Sequence, residues 1–332
     1  MNWNLLGIEP TKDKKTENYM SIVVIGTSFV DIKGFPDGAY IPDGRNVGQV
    51  KYIHGGVARN VVEDIANMEL RPTYVGIVDD TPLGTDVLNK LKNHKVNTDY
   101  VRVKPDGMGI WLAVFDANGD VAGSISKRPD TNPFLDILEE QGDEIFSKAD
   151  SLVLECDMEI PVVKKALDLA DKYRIKKYAL VSNMSIASER RDLIQRYDCF
   201  ICNKQEAGML FLNDYSDKST EEMEEIIRDR VVKAKFPAMV VTLGGDGAVY
   251  ADCNGNSGFC PARNVQVLDT TGAGDAFCAG VASGLTYGKT LAEAVEIGTM
   301  LAASVIISTE NVCPRFHPDE LGLEFPLRNK DK

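Results

Sequence analysis

Short runs of apolar residues recur along the chain, and most of them are separated by stretches in which apolar residues return with helical spacing. The runs have the length of buried strands; they are SIVVIGTSFVDI (21–32), TYVGIV (73–78), SLVLEC (151–156), KYALVSN (177–183), CFICN (199–203) and AMVVTLG (238–244). Segments such as PVVKKALDLADKY and TEEMEEIIRDRVVKA are amphipathic. The alternation predicts an α/β fold, with a mostly parallel central sheet and helices on both faces.

Two segments break this rhythm, GAYIPDGRNVGQVKYIHGG and DYVRVKPDGMGIWLAVFDANGDVAGSIS. Both alternate in the manner of strands and contain Gly and Asn turns. Antiparallel strands inserted into an α/β fold commonly form a lid. We therefore predict one domain, 20–322, with lid strands from about 33–53 and 100–126. A polar N-terminal extension, 1–19, and a polar C-terminal tail, 323–332, flank it.

The amino-acid composition limits the kinds of molecule that the protein can bind. The chain has 332 residues, 44% of them hydrophobic, and a net charge of −13. Such an acidic chain is a poor candidate for non-specific nucleic-acid binding, and no apolar run reaches membrane-spanning length. Cys199 and Cys202 form a C-x-x-C without a second pair, which favours structural thiols and a cytoplasmic location.

The stretch DTTGAGDAF, 269–277, carries the strongest chemical signal. Gly272 and Gly274 allow a tight turn and close approach of a ligand, and a helix beginning near Ala273 has unpaired N–H groups and a positive dipole end. Such a turn suits a phosphate or the charge that develops on one. Asp275 beside it is placed to accept a proton from an attacking hydroxyl. The structural alternative is an ordinary helix start with a favourable Asp.

The same stretch resembles the second signature of the ribokinase-like (PfkB) carbohydrate kinase family. HGGVARNVVEDIANM (54–68) resembles the family's first signature, NKQE (203–206) its N-x-x-E motif, and TLGGDGAVY (242–250) its nucleotide-side glycine turn. All four motifs follow the family order, and the resemblance covers roughly residues 20–320. It implies a three-layer α/β/α kinase fold with a small β lid.

The resemblance assigns five residues to the acceptor side. Gly55 and Gly56 permit close backbone approach to a polyol, and Asn60 offers sugar hydroxyls both a donor and an acceptor. Asp31, at the end of the first predicted strand, resembles the family's sugar-binding Asp, and Glu155 falls where a substrate-side acid often lies. The alternatives are a helix-surface amide for Asn60 and a turn-forming or capping Asp31.

On the nucleotide side, amides near glycines would face the phosphates of ATP. The resemblance assigns this role to Asn203, Thr242, Gly244, Gly245 and Gly247, and a hairpin turn is the alternative for the three glycines. Asn203 and Glu206 would hold Mg²⁺, mostly through water, unless they only cap a helix. Asp269 and Thr271 would hold a monovalent cation such as K⁺.

The family transfers the γ-phosphoryl group of ATP to a hydroxymethyl oxygen of a sugar or nucleoside. Asp275 would deprotonate that hydroxyl, and the amides of Gly272, Ala273, Gly274 and Asp275 would stabilise the moving phosphoryl group. The lid would exclude water. Lid edges in this family often pair, so a homodimer through the lid is a further expectation.

Within the family, GGVARN, WLAVFDANGDVAGSIS and STENVCPRF most resemble pseudouridine kinases, which predicts pseudouridine as the acceptor. The chain departs from that group in SKRPDTNP and NVCP, which leaves nucleobase recognition open. Ribokinase, fructokinase and ketodeoxygluconate kinase activities remain alternatives. A sugar-binding pseudokinase regulator is an alternative of another class, although the chain retains Asp275 and N-x-x-E.

Overall fold

Strands and helices alternate along residues 20–117 and 119–323, which are the part of the chain that the structure, a computed structural model, describes. The strands are β1 (Ile22–Ile25), β2 (Phe29–Pro36), β3 (Gly48–Gly55), β4 (Thr73–Val78), β5 (Asn97–Val103), β6 (Gly109–Phe115), β7 (Val121–Lys127), β8 (Ser151–Glu155), β9 (Lys176–Leu180), β10 (Cys199–Asn203), β11 (Ala238–Thr242), β12 (Gly247–Asp252) and β13 (Ser257–Pro261). The helices are α1 (Val57–Asn67), α2 (Pro82–Asn93), α3 (Pro133–Ser147), α4 (Ile160–Tyr173), α5 (Met184–Ala187), α6 (Arg191–Ile194), α7 (Lys204–Phe211), α8 (Thr220–Ala234), α9 (Ala273–Thr286) and α10 (Leu291–Ile306). The predicted extension, 1–19, and the predicted tail after its first residue lie outside the described residues.

Within the described residues, the larger sheet has nine strands in the order β13-β12-β11-β10-β9-β8-β1-β4-β5. Every pairing from β11 to β5 is parallel, whereas β12 and β13 pair antiparallel at one edge. The mostly parallel sheet is therefore confirmed. Because its strands are parallel, their carboxyl ends meet along one edge, which is where α/β sheets bind ligands.

Helices cover both faces of this sheet, because the strands bury side chains on both sides. Val23 and Ile25 of β1 point into a core shared with α3, α4, α7 and α8. Ile22 and Val24, one residue out of phase, point into a second core shared with α1, α2, α9 and α10. This arrangement confirms the three-layer α/β/α fold.

A separate four-stranded sheet has the order β3-β2-β6-β7, and we call it the lid. Its strands pair so that Asp31, Trp111 and Ser126 form one cross-strand row. The side chains in this row line the cavity described below.

Two expectations about strand bounds are wrong. The predicted lid segment that starts at residue 100 includes the end of β5, which instead pairs with β4 and buries Tyr100 against the core. The run 21–32 is also not one strand, because β1 ends at Ile25 and β2 begins at Phe29. A Cβ on Gly26 would lie 2.5 Å from both Ala58 Cβ and Glu155 Oε2. This close packing marks where the chain leaves the central sheet, and it places Asp31 inside a lid strand.

Cys199 and Cys202 lie in β10 as buried free thiols, as structural cysteines would. Among the described residues, no helix combines the length and apolar character needed to cross a bilayer.

Candidate active site

A cavity of about 400 Å³ lies between the lid and the carboxyl edge of the central sheet. Parallel strand ends, the lid row and the N-termini of α1 and α9 meet there. It is lined by Thr27, Phe29, Asp31, Gly56, Val57, Asn60, Trp111, Ser126, Arg128, Ser182, Asn183, Thr271, Gly272 and Asp275. The structure thus brings together Asp31, Gly56, Asn60, Thr271, Gly272 and Asp275 from the residues that the sequence singled out.

Helix α1 begins at a glycine turn that the backbone requires. Gly56, its N-cap, has φ of +92°, and a Cβ there would lie 2.7 Å from the Thr27 carbonyl oxygen. Gly55 is buried, and a Cβ on it would lie 2.6 Å from Oδ1 of Asp31. The two glycines therefore let the first turn of α1, which carries Asn60, pack against β2 of the lid.

Helix α9 begins at a second glycine turn. Gly272 is its N-cap with φ of +83°, in the left-handed region that favours glycine. The amides of Gly274 and Asp275 donate no hydrogen bond to another described residue, whereas the Ala273 amide donates to the Thr270 carbonyl at 3.2 Å. Two free donors thus lie at the positive end of a 14-residue helix, which is a site suited to an anion.

Asp275 lies in the first turn of α9 and opens onto the cavity. Its Oδ2 accepts a hydrogen bond of 2.6 Å from Nδ2 of Asn60. Burial raises the pKa of Asp275 to about 6, although the Asn60 hydrogen bond and the Arg59 charge oppose the rise. The negative charges of Asp31 and Glu206 add to it. Asp275 is therefore mostly ionised at neutral pH and close to the range in which a carboxylate accepts protons well.

Asp31 faces the cavity from the lid strand β2. Burial raises the pKa of its carboxyl, and the charges of Lys33 and Arg59 counteract that rise. Lys33 is itself buried in the lid, and its ammonium lies 5.9 Å from the centroid of the Trp111 ring. The carboxylate is thus placed to accept hydrogen bonds from ligand hydroxyls.

Glu155 lies behind the cavity wall and not in its lining. The end of β8 buries it, and its Oε2 accepts a hydrogen bond of 2.7 Å from the Thr27 amide. The Ser182 hydroxyl lies 3.1 Å from Glu155 Oε1 and 2.7 Å from Asp157 Oδ2, so two carboxylates compete for one proton donor. Burial and the Asp157 charge raise the pKa of Glu155. In this structure Glu155 supports lining residues instead of facing the cavity.

Asn203 and Glu206 form a capping box at the start of α7. The Glu206 amide donates to Asn203 Oδ1 at 2.8 Å, and the Asn203 amide donates to Glu206 Oε2 at 2.8 Å. The capping alternative is thus present in the structure. Glu206 Oε1 makes no hydrogen bond to another described residue and stays available to a ligand. Burial raises the pKa of Glu206, which faces the charge of Asp157.

The remaining residues predicted for the nucleotide side lie at the end of the neighbouring strand, β11, and just after it. Thr242 ends β11 and pairs in register with Asn203 of β10. Gly244 and Gly245 are exposed in the turn before β12, and a Cβ on either would meet no atom within 4 Å. Gly247, with φ of +125°, is buried, and a Cβ there would lie 2.1 Å from the Cys260 carbonyl oxygen. The open glycines leave backbone room for a ligand, whereas Gly247 is required by the fold.

Asp269 lies just before the α9 turn, and its Oδ1 accepts a hydrogen bond of 2.8 Å from the Thr271 amide. Burial alone raises the pKa of Asp269, but hydrogen bonds from the Thr271 and Thr270 amides and the Lys33 charge outweigh it and leave the pKa below its usual value. The carboxylate is thus ionised. Thr271 also lines the cavity.

Several cavity residues were not found by sequence reasoning. Trp111 and Phe29 add aromatic surface, and Arg128 adds a guanidinium that donates 2.9 Å to Asp157 Oδ2. Asn311, outside the lining, contacts Asn60 through a hydrogen bond of 3.2 Å. The alternation in WLAVF predicts a lid strand, but it does not indicate which face of that strand lines the cavity. Asn311 lies in STENVCPRF, a segment whose sequence pattern assigns no individual residue to the site.

Comparisons with known proteins identify the family of the chain. A family model described as pfkB family carbohydrate kinase matches residues 20–314. A guanosine-inosine kinase from Exiguobacterium acetylicum is 35% identical over 294 residues, 87% of this chain and 95% of the relative. A pseudouridine kinase from Escherichia coli is 25% identical over 282 residues, 82% and 86% of the two chains.

Among solved structures, Arabidopsis thaliana ribokinase complexed with ribose and ATP has the same fold. It superposes with a TM-score of 0.79 at 19% identity, covering 93% of this chain and 99% of that one. The chain belongs to the pfkB family of carbohydrate kinases and is an ATP-dependent sugar or nucleoside kinase.

Proposed function

We propose that the protein transfers the γ-phosphoryl group of ATP to the 5′-hydroxyl of a nucleoside. The observation that carries the proposal is the position of Asp275. Its carboxylate lies in a cavity with an aromatic lid wall, beside two helix amides that donate no hydrogen bond to another described residue.

Asp275 acts as the catalytic base in this proposal. The acceptor hydroxyl approaches the carboxylate, which takes its proton as the oxygen attacks the γ-phosphorus and the bond from that phosphorus to ADP breaks. The amides of Gly274 and Asp275 donate to the transferring phosphoryl group, where negative charge must be stabilised. Gly272 and Ala273 shape the turn that presents these amides. Closure of the lid removes water, the competing acceptor.

Asn203 and Glu206 would hold Mg²⁺ through its water shell. The free Oε1 of Glu206 fits this role, because Mg²⁺ prefers oxygen ligands and keeps several waters. A Mg²⁺ held there would supply positive charge that offsets the negative charge of the ATP phosphates. The open turn at Gly244 and Gly245, after Thr242, is the proposed cradle for the nucleotide. The ionised Asp269, with Thr271, is the proposed site for K⁺.

A nucleoside fits the cavity better than a free sugar. The rings of Trp111 and Phe29 offer apolar faces on which a planar nucleobase stacks, whereas a furanose alone leaves that surface uncovered. Asp31 and Asn60 lie where they can meet ribose hydroxyls. Arg128 and Asn183 then provide polar groups for the edge of the nucleobase.

Guanosine or inosine is the favoured nucleoside. The 35% identity to a guanosine-inosine kinase supports this choice over the 25% identity to a pseudouridine kinase. The Arg128 guanidinium also has the fork geometry that matches the adjacent O6 and N7 acceptors of a 6-oxopurine. Pseudouridine remains the second candidate, supported by the pattern WLAVFDANGDVAGSIS.

An acceptor panel at fixed ATP and Mg²⁺ tests the proposal. It comprises guanosine, inosine, pseudouridine, uridine, adenosine, ribose, fructose and ketodeoxygluconate, and it measures kcat/KM for each. We expect guanosine and inosine to lead and every nucleoside acceptor to exceed ribose. If ribose or a ketohexose leads, the nucleoside proposal is wrong. If ATP binds but no acceptor is phosphorylated, the chain is a binding regulator.

A further inference from the structure

Asn311 lies between the two glycine turns of the active site. It follows α10, and only 5% of its surface is exposed. Its Nδ2 donates 2.7 Å to the His54 carbonyl, just before the Gly55–Gly56 turn, and 3.2 Å to Oδ1 of Asn60. Its own carbonyl oxygen lies against Gly272. The residue therefore contacts both the turn that starts α1 and the turn that starts α9.

The hydrogen bonds fix the orientation of two side-chain amides. The His54 carbonyl can only accept, so Asn311 must direct its NH₂ group toward it. Because that same NH₂ group donates to Asn60 Oδ1, the NH₂ group of Asn60 is left to point the other way. Asn60 Nδ2 then donates to the Asp275 carboxylate at 2.6 Å. An ionised carboxylate is acceptor-only, so this order of donors and acceptors matches ionised Asp275.

The segment that carries Asn311 is held independently of this network. The Cys313 amide donates 2.6 Å to Oδ1 of the buried Asp64, and Asn67 Nδ2 donates 2.7 Å to the Cys313 carbonyl. His54 O also accepts 2.6 Å from Arg59 Nη2, so its position does not depend on Asn311 alone. The contact of Asn311 with Asn60 can therefore be removed while its segment stays anchored.

We propose that Asn311 is a positioning residue for catalysis, which holds the Asn60 amide so that its NH₂ group donates to the carboxylate of Asp275. The proposal rests on the role of Asp275 as catalytic base. Without Asn311, the Asn60 amide is free to turn its oxygen toward the carboxylate. The ionised base then loses a donor and meets a dipole of the wrong sign.

Other groups also act on Asp275, and they stay in place in the variants below. Arg59 on α1 favours the ionised carboxylate, whereas Asp31 on the lid and Glu206 on α7 disfavour it. The buried Asp64 on α1 and Cys278 on α9 are also close enough to interact with its charge. A substitution at residue 311 therefore acts on Asp275 through Asn60 only if it no longer changes the pKa of Asp275 in a variant that lacks the Asn60 side chain.

The experiment compares Asn311→Ala with a matched control, Asn67→Ala, which removes an anchor of the same segment without touching Asn60. Two quantities are measured against pH: kcat/KM for guanosine, or for the best acceptor of the panel, and the ¹³C chemical shift of the Asp275 carboxyl, assigned with Asp275→Asn. The chemical shift does not depend on turnover. Asn311→Leu repeats the comparison without opening a cavity, in case the smaller side chain impairs folding.

We expect Asn311→Ala to raise the pKa of Asp275 and the acid limb of kcat/KM by about one pH unit, the effect of losing a hydrogen bond to the charged form. At pH values below the pKa of Asp275, kcat/KM of Asn311→Ala is expected to be up to about tenfold lower than that of the wild type. Asn67→Ala is expected to leave both unchanged. In an Asn60→Leu background, Asn311→Ala is expected to add no further shift.

An unshifted Asp275 in Asn311→Ala overturns the proposal, and so does an equal shift in Asn67→Ala or a full shift in the Asn60→Leu background. A separate measurement, the turnover of Asp275→Asn, shows whether Asp275 is the catalytic base. If it is not, Asp275→Asn keeps its turnover, whatever the chemical shifts report.

Discussion

The carbonyl oxygen of Asn311 lies 2.0 Å from the point where Gly272 would carry a Cβ. This close approach and the φ of +83° at Gly272 are two independent reasons why that position takes no side chain. Two residues later, a Cβ on Gly274 would meet no atom within 4 Å. The two glycines of the GAGD turn therefore have different roles, one in the backbone of the turn and one at its exposed surface.

Gly272→Ala is expected to lower the free energy of unfolding by at least about 1–3 kcal/mol, the usual cost of a strained backbone conformation. Gly274→Ala, its matched control, is expected to be neutral or slightly stabilising, because Ala favours a helix over Gly by up to about 1 kcal/mol. Denaturant unfolding of both variants measures the difference. Equal stabilities would show that the turn tolerates a side chain at residue 272.

Asp275→Asn is expected to lower kcat by about 10²-fold or more, the usual contribution of a positioned base. ATP affinity should change little, because the amides at the start of α9 are retained. Since the base acts in its ionised form, wild-type kcat/KM should fall as the pH drops through about 6, the pKa of Asp275. Steady-state rates across pH 5–8 check both points, and near-normal turnover would exclude the assignment.

The same substitution should stabilise the fold. The pKa of Asp275 is raised on folding, so the folded state binds the proton more tightly than the unfolded state does. Stability from this group is present at low pH and is lost as the pH rises toward about 6. Removing the charge is therefore expected to raise the free energy of unfolding at pH 7 more than at pH 4. A variant that is less stable than wild type at pH 7 would contradict this sign.

Glu206→Gln separates metal binding from helix capping. Glutamine keeps an oxygen that can accept the Asn203 amide, so α7 should stay capped while the charge is lost. We expect a higher Mg²⁺ concentration for half-maximal rate with little change in stability. Glu222→Gln, in the capping box of α8, is the matched control and should leave the Mg²⁺ titration unchanged. An unaltered titration in Glu206→Gln would leave the residue as a cap only.

Asp31→Ala and Asn60→Ala are expected to raise KM for the acceptor by roughly 5- to 150-fold, since an unpaired polar group in a closed site costs about 1–3 kcal/mol. The KM for ATP should change little. The two substitutions should also differ, because Asn60 touches Asp275 whereas Asp31 does not. Asn60→Ala should therefore lower kcat as well. Bisubstrate kinetics measures kcat and the KM for each substrate, and an unchanged acceptor KM in both variants would remove these residues from the acceptor site.

Trp111→Ala distinguishes a nucleoside site from a sugar site. Loss of base stacking is worth about 1–3 kcal/mol, so kcat/KM for guanosine should fall roughly 5- to 150-fold. Activity on free ribose, where measurable, should fall far less. An equal loss on both acceptors would mean that the ring only holds the lid together.

The sequence was sufficient for the sheet, because runs such as SLVLE and CFICN are buried on both faces and give an unambiguous signal. It failed at Asp31, because VVIGTSFVDI has no breaker stronger than Gly26, and only packing against Ala58 and Glu155 shows where the strand ends. The glycine turns were recognisable because positive φ at Gly56 and Gly272 restricts the residue type. Motif spacing therefore located backbone turns more reliably than strand ends.

Contacts between distant segments were not predictable. Asn311 carries no local signal, and it meets Asn60 only because the segment after α10 packs beside α1. The exposure of Arg128 and Trp111 to the cavity depends on which face of the lid turns inward, and alternation alone does not decide that. The sequence of Asn203 and Glu206 is compatible with a helix cap and with a metal site, and the structure shows that the cap exists.

The hydrogen bond between Asn60 and Asp275 joins residues that are 215 positions apart. The Gly55–Gly56 turn, the lid and most of the central sheet therefore precede, in the order of synthesis, the residue proposed to do the chemistry. Bringing residues so far apart in the chain into contact costs loop-closure entropy, which slows folding. Because α9 and α10 are buried in the core that they share with α1, removing Asp275 from the site would require that core to open, so turnover should be lost together with the core on denaturation.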